Sequence, residues 1–367
     1  MSKDNSVKIQ GYDFFAWKYK DHTKTKHQVL KCYLEKWYPI LGKSNALNYF
    51  DCFGGCGVYT EDGKTFEPGS PIIAALAWIN KGNKGNPFCL CCIESNKQTL
   101  ENLKKAFSHY CPDMIEPLYI QDDFDNSINS ILDEFERDNK SLAPSFFFID
   151  PFGISIKYST IKRIMEIDKS EILLNFMYDS VQRWLTHSEL EDCLSILFGC
   201  DSWKAIQSIP ADQKEVSIIR LFRKQLKKVA QFVMPYRVCY PDKDRTFYYL
   251  VHLTNNQLGA IIMKSCFAEI NYGSVEYLGK QKHQTTFLDA QNYKQADIKS
   301  HLLECFSQRI VTYDELIAEL IDTTPYLEKE IKDALYCLRD EGRIVKGQVT
   351  SKREKAILGK DTISFVK

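Results

Sequence analysis

The stretch Tyr49-Phe50-Asp51-Cys52-Phe53-Gly54-Gly55-Cys56-Gly57 constrains the fold more than any other part of the chain. Apolar residues of a strand run into an acid, and glycines follow where the chain has to turn. A glycine has no Cβ, so it tolerates left-handed backbone and lets another group approach closely. In doubly wound sheets a strand that ends this way opens onto the edge where ligands bind. The alternative is a tight strand-to-helix turn with no ligand.

The pattern then repeats. Strand-like runs at Phe88–Ile93, about Glu116–Ile120, Phe146–Ile149 and about Ile172–Met177 alternate with helical periodicity over Lys97–His109 and Ile128–Arg137. Such alternation predicts a parallel sheet with helices on both faces. Pro68-Gly69-Ser70-Pro71 reads as a helix start, with Ser70 as N-cap, Pro71 in the first turn and Ile72–Ile79 continuing. Upstream, Val29, Leu30, Tyr33, Leu34 and Trp37 recur at three- and four-residue spacing, so a helix is expected over Lys24–Leu41 with Pro39 at its far end. Downstream, residues 180–235 read as a helical insertion, including one long helix over Gln213–Phe232. Thr246–Leu253 reads as a strand, Gly259–Phe267 as a helix and Asn271–Asn292 as a polar connector. The expected fold class is α/β: a Rossmann-like sheet over 46–292 behind an N-terminal helical lid, 1–45.

Residues 295–367 change character. Ile298–Ser307 is helical in pattern, and Thr312-Tyr313-Asp314-Glu315 is a capping box that opens a short helix. Pro325–Asp340 forms another helix closed by Gly342, and Ile344-Val345 and Thr362–Val366 read as strands. Three helices and a two-stranded wing predict a small winged helix-turn-helix. Its arm gathers Lys346, Lys352, Arg353 and Lys355, with Arg343 and Lys360, as candidate phosphate contacts. A solvated hairpin on a protein-binding module is the alternative.

The 48 basic and 48 acidic residues cancel, so any nucleic-acid binding has to come from a local patch of this kind. No apolar run approaches the roughly 20 residues that cross a bilayer. The polar start, Met1-Ser2-Lys3-Asp4, does not read as a signal peptide. No membrane partner and a cytoplasmic location are expected. The 13 cysteines, an odd number, read as reduced and largely buried thiols. Cys52, Cys56, Cys91 and Cys92 would be the zinc candidates. Cys91 and Cys92 point to opposite faces of a strand, however, and no paired C-x-x-C spacing exists, so no metal is expected.

A second acidic turn, Asp150-Pro151-Phe152-Gly153, follows the run Phe146–Ile149. With the first, it resembles the cofactor and catalytic loops of class I S-adenosylmethionine-dependent methyltransferases. The resemblance assigns Asp51, Phe53, Gly55 and Gly57 to the cofactor loop, with Asp51 near the methionine amino group or fixing the loop. Glu94 ends an apolar strand where nucleotide folds place a ribose-binding acid; a helix N-terminal acid is the plain alternative. Asp123 is a candidate acceptor for the adenine amino group, in competition with Asp122, and either could cap the next helix. An exocyclic amine is a poor nucleophile because its lone pair is conjugated into the ring. A carboxylate from Asp150 and the carbonyl of Pro151 could accept from it where charge develops. Phe152 could stack on the base. The alternative there is an Asp-Pro turn with Phe152 in the core. Lys26 and His27 could face the cofactor from the first helix or lie on a solvated face.

The chain also resembles the three-Cys-motif partner proteins, found in bacteria and phages beside a radical-SAM-like gene whose product bears the three cysteines. The likeness covers roughly Asp13 to Leu258. It rests on Trp17, Lys26-His27, the Asp51-x-Phe53-x-Gly55-x-Gly57 loop, Gly69-Ser70-Pro71, Glu94, Asp123 and Asp150-Pro151-Phe152-Gly153. It implies a methyltransferase-like fold and a radical-SAM-like partner. The loop Asp150-Pro151-Phe152-Gly153 is similar to that of tRNA guanine dimethyltransferases and lacks the second proline of the D-P-P-[YF] loop of DNA amino-methyltransferases. Cys56 is bulkier than the residue usual between such glycines. The expected activity is S-adenosylmethionine-dependent methylation of an exocyclic amine in nucleic acid, RNA in preference to DNA. The rivals are a non-catalytic Rossmann-like adaptor and a nucleotide-sensing DNA-binding regulator.

Overall fold

The computed structural model describes the chain except for residues 1–5, 9, 83–84, 113, 241–244, 271–297, 348–355, 358 and 367. Two units divide it, Met1–His283 and Gln284–Lys367.

The first unit is built on seven strands: β1 (Leu47–Asp51), β2 (Phe88–Ile93), β3 (Leu118–Ile120), β4 (Ser145–Ile149), β5 (Ser170–Phe176), β6 (Phe232–Cys239) and β7 (Thr246–Thr254). They lie in the order 3-2-1-4-5-7-6. The first five are parallel, and β7 runs antiparallel to both β5 and β6. The helices are α1 (Asp21–Leu41), α2 (Ser70–Lys81), α3 (Lys97–Tyr110), α4 (Phe124–Arg137), α5 (Tyr158–Met165), α6 (Tyr178–Trp184), α7 (Glu191–Phe198), α8 (Ala211–Leu226) and α9 (Gln257–Ile270). The expected alternation is present, and β2 has the predicted bounds.

The aromatic runs make both faces of the sheet dry. Phe146, Phe147 and Phe148 are all fully buried, as a central parallel strand requires. Successive side chains on a strand alternate faces. Phe146 meets Tyr33 and Trp37 of α1. Its neighbour Phe147 therefore points the other way and stacks on Phe50 at 4.5 Å. Helix α1 packs on α2 and α9, and most of its apolar side chains are fully buried, so residues 21–41 form part of the core and not a lid over it.

The first unit departs from the sequence reading in other places as well. Gly69, not Ser70, is the N-cap of α2; Ser70 is its first residue. Pro39 lies inside α1, near its end. The expected long helix over 213–232 stops at Leu226, and residues 232–239 form β6. Pro235 argues against a central strand from sequence, but β6 is an edge strand, where a residue without an N–H is tolerated. A second sheet also appears, in the order Ser6–Lys8, Phe15–Lys18, Val58–Thr60, Glu67–Pro68. It sets Trp17 beside Tyr59.

One buried acid sits at the amino-terminal end of β5. Glu171 accepts from the Tyr33 hydroxyl, from Trp37 Nε1 at 3.1 Å and from His252 Nε2 at 3.1 Å. A Cβ at position 259 would stand 3.0 Å from both Glu171 and the Tyr33 hydroxyl, so glycine there lets α9 approach.

The second unit has helices Ile298–Phe306, Tyr313–Leu320 and Glu328–Asp340. Its antiparallel sheet places Thr362–Phe365 between Ile310–Thr312 and Ile344–Lys346. Thr312 and Glu315 form the capping box expected from sequence. The strand Ile310–Thr312 was not anticipated; three residues are too few to carry a period-two pattern.

Candidate active site at the carboxyl ends of the strands

Residues from β1, β2 and β4 meet at one edge, beside the point where connections leave the sheet in opposite directions, the position favoured for ligands in open α/β sheets. Asp51 ends β1 and is fully buried. The Tyr49 hydroxyl donates to its Oδ2 at 3.0 Å, while Oδ1 has no hydrogen-bond partner. Burial pushes the carboxyl up to about 7, with the charge of Asp150 acting in the same direction and the nearness of the Ser70 side chain, Tyr49 and the Phe53 backbone opposing. Carboxylates of this kind are costly unless something comes to meet them.

Gly55 and Gly57 both have left-handed backbone, φ +61° and +86°, so the turn itself requires glycine. What presses on them is protein. A Cβ on Gly55 would stand 3.0 Å from the Trp17 ring, and one on Gly57 would stand 2.8 Å from Leu103 of α3. Gly57 thus serves helix packing, and the indole of Trp17 lies over Gly55. Phe53 leans on Phe124 of α4 at 5.6 Å. Asn102 of α3 holds the assembly: its amide accepts from Phe15 N–H at 2.7 Å and donates to the carbonyls of Phe15 and Cys56 at 2.8 Å.

Glu94 follows β2 and straddles the same loop. One oxygen accepts from Gly55 N–H at 3.1 Å and the other from Asn96 N–H at 2.8 Å. Burial raises its carboxyl above the usual range against those two backbone donors. A carboxylate has about four lone-pair sites, so two acceptor positions remain. Asp123 is different. It is the N-cap of α4, taking the Asn126 N–H at 2.9 Å on one oxygen and the Asn126 side chain on the other. Its carboxylate is committed to the helix, the alternative left open by its sequence position.

Asp150 stands just beyond β4. Lys26 of α1, 124 positions away in sequence, pairs with Oδ2, and Asn175 at the end of β5 donates to Oδ1 at 2.6 Å. The Lys26 and Asp150 side chains are only 11% and 15% exposed. The buried Asn175 keeps its own Oδ1 without a partner. Pro151 is buried, but Phe152 is 78% exposed, its ring edge-on to Trp17 at 5.7 Å. Phe152 is therefore not core. Trp17 touches the glycine loop on one side and Phe152 on the other, which places both loops around one mouth. His27, next to Lys26, faces away and meets Tyr19 at 3.1 Å. Burial, with Lys26 nearby, holds its pKa down at about 3, so it stays neutral.

The cationic arm of the second unit is not a set of free charges. Lys346 pairs with the fully buried Asp361 at 3.0 Å and donates to the Ala356 carbonyl, so it is a structural cation and not a phosphate contact. Lys352, Arg353 and Lys355 lie outside the described residues. All 13 cysteines are free, and no group of three potential metal ligands occurs among the described residues. No described helix is long and apolar enough to cross a membrane. A cavity of about 920 Å³, lined by Tyr12, Phe14, Asn102 and Lys105 among others, includes none of the predicted site residues.

The fold is thus an α/β protein with a mixed seven-stranded sheet. Among solved structures with similarity to it are protein LPL1258 from Legionella pneumophila (13% identity over 69% of this chain and 93% of that one, TM-score 0.40), a SAM-dependent methyltransferase from Agrobacterium tumefaciens (12%, 70% and 72%, TM-score 0.38) and M. jannaschii TYW2 in complex with AdoMet (10%, 69% and 87%, TM-score 0.31). At these scores the likeness carries no functional weight. No family model and no curated protein matches the chain.

Proposed function

We propose that this protein is an S-adenosylmethionine-dependent methyltransferase acting on an exocyclic amine of a nucleic-acid base, RNA in preference to DNA, and that it belongs with the three-Cys-motif partner proteins. The observation that carries the reading is a pair of buried acceptors without donors, Asp51 Oδ1 and Asn175 Oδ1, on either side of Asp150. Buried polar atoms are normally satisfied, and exceptions call for a partner from outside the fold. An ammonium group fits Asp51, and vicinal hydroxyls fit the two spare positions of Glu94. The order 3-2-1-4-5-7-6 with an antiparallel seventh strand also agrees, because it is the methyltransferase variety of the doubly wound sheet.

When bound, the cofactor supplies an electrophilic methyl group. This chain's residues have the rest to do. Phe152, exposed at the mouth, stacks on a base presented single-stranded or turned out of its helix. Asn175 Oδ1 and the Pro151 carbonyl accept from the amine. Asp150 joins them when Lys26 swings off Oδ2, and it then stabilises positive charge developing on the nitrogen. The three C-terminal helices with their sheet act as a winged helix that holds polymer through Arg343 and Lys360, joined by Lys352, Arg353 and Lys355, which lie outside the described residues.

A second reading has its own support. Trp17 covers Gly55, and both oxygens of Asp150 are already taken. That is what a non-catalytic adaptor, docking on a radical-SAM-like partner, would look like. Two measurements separate the readings: the melting temperature of the purified protein with and without S-adenosylmethionine, and tritiated methyl transfer to total cellular RNA and DNA. Stabilisation with transfer supports the enzyme. Stabilisation without transfer to either polymer favours the adaptor, and no stabilisation removes the methyltransferase.

A further inference from the structure

Away from this site, Cys32 of α1 faces Cys266 of α9, with the two sulfurs 2.7 Å apart, well inside ordinary non-bonded contact. Lys36, one turn along α1, puts its Nζ 3.1 Å from Cys32 Sγ and 3.4 Å from Cys266 Sγ, and Glu269 holds the ammonium at 2.9 Å. Both thiols are free; Cys266 is buried and Cys32 half-buried. Cys32, Lys36 and Glu269 line an open groove of about 750 Å³, so a small oxidant can reach Cys32. A metal is a poor fit, because the ammonium already sits on the sulfurs.

We propose that Cys32 and Cys266 are a reversible dithiol–disulfide pair oxidised by hydroperoxides, with Cys32 as the attacking sulfur and Lys36 holding it as the thiolate. The chemistry balances. Cys32 thiolate attacks one oxygen of hydrogen peroxide, gives a sulfenic acid and expels hydroxide, which takes up a proton. The Cys266 sulfur then displaces the sulfenic oxygen as water, so two thiols and one peroxide become a disulfide and two waters. Closing the pair to ~2.05 Å needs only a small movement. The asymmetry between the thiols favours this order. A hydrogen bond from Cys266 and the nearby Lys36 lower the Cys32 pKa against the effects of burial and of the Glu269 carboxylate, 3.5 Å from Cys32 Sγ, while the same pairing and burial raise that of Cys266. The thiolate is the nucleophile.

The test uses the full chain, fully reduced, treated with equimolar hydrogen peroxide, alkylated and mapped by mass spectrometry without reduction. The expected result is a linked peptide pair containing Cys32 and Cys266, formed ahead of oxidation at the other eleven cysteines and reversed by dithiothreitol. In Cys266→Ser the sulfenic acid should persist and be trapped by dimedone at Cys32. In Lys36→Met the link should form several-fold more slowly. Separate alkylation of Cys32 and Cys266 after peroxide has oxidised other thiols would overturn the pair, and this outcome is read on the unaltered protein. An unchanged rate in Lys36→Met would overturn the part given to the lysine.

Discussion

Glu171 and Asp51 are both buried acids of the same sheet, and α1 attends to both ends. At the amino-terminal end of β5, Tyr33, Trp37 and His252 supply Glu171 with three donors. At the opposite end, Lys26 of the same helix pairs with Asp150, and the neighbouring Asp51 is left with one oxygen bare. Burial alone therefore does not distinguish the two acids; the donors that each carboxylate receives do. A satisfied acid finishes the fold, whereas an unfinished one has a place for something the chain does not provide.

The sharpest way to break this contrast is to remove the satisfied acid. Glu171→Ala strands a buried imidazole, a phenol and an indole, and should cost about 3–5 kcal/mol of folding stability in denaturant titration. A nearly neutral effect on stability, with loss of cofactor binding, would reverse the roles of the two ends. At the other end, Asp150→Ala should lower methyl transfer about 10²–10³-fold while the thermal shift by S-adenosylmethionine persists. Loss of the thermal shift along with turnover would make Asp150 a binding residue. Phe152→Ala should weaken binding of single-stranded RNA by about 1–3 kcal/mol in an anisotropy titration without changing the melting temperature. Because the ring is exposed, a large fall in melting temperature would mean that it supports the fold.

A further contrast is in pH. The Asp51 carboxyl is raised from its ordinary 3.8 to about 7 in the folded chain. Between those values the folded protein keeps a proton that the unfolded chain has released, so the Asp51 contribution to stability should fall as pH rises across the window and level off above it. A cationic amine needs the charged acid, so cofactor affinity should instead rise towards pH 7, by at most about tenfold per pH unit. In calorimetry the difference in stability between the unaltered protein and Asp51→Asn should therefore change across this window, and Asp51→Asn should lose the pH dependence of cofactor affinity. His27 and His22, held down at about 3 and 4 by burial with Lys26 nearby, act the opposite way: the unfolded chain protonates both at their ordinary 6.5 while the folded chain keeps them neutral, so their contribution to stability rises with pH between those values.

What could be read in advance depended on how local the signal was. The apolar runs of β2 and β4 announce themselves, because a strand buried on both faces leaves no polar positions. The Thr312–Glu315 box was legible because all its hydrogen bonds close within four residues. Strand β6 was hidden by Pro235, whose tolerance depends on lying at an edge, a property of the assembled sheet. From its loop alone Phe152 fits either a base-stacking ring or a core residue, and Asp123 is not separable from its cap. The clamp of Lys26 on Asp150 and the indole of Trp17 over Gly55 were beyond reach, since each joins elements whose meeting is decided by the path of the whole chain. Glu171 carries only a weak local signal, an acid directly before the apolar run Ile172-Leu173-Leu174.

The proline at the margin of the sheet has one further effect. An exposed β edge offers a row of amides and carbonyls to any passing chain, and such edges invite filament growth. Pro235 removes one amide from that row in β6, a strand whose residues are all buried, and on the opposite flank β3 is only three residues long. Neither border presents a template long and regular enough to recruit a second molecule strand by strand, so a sheet this rich in aromatic residues has blunted flanks.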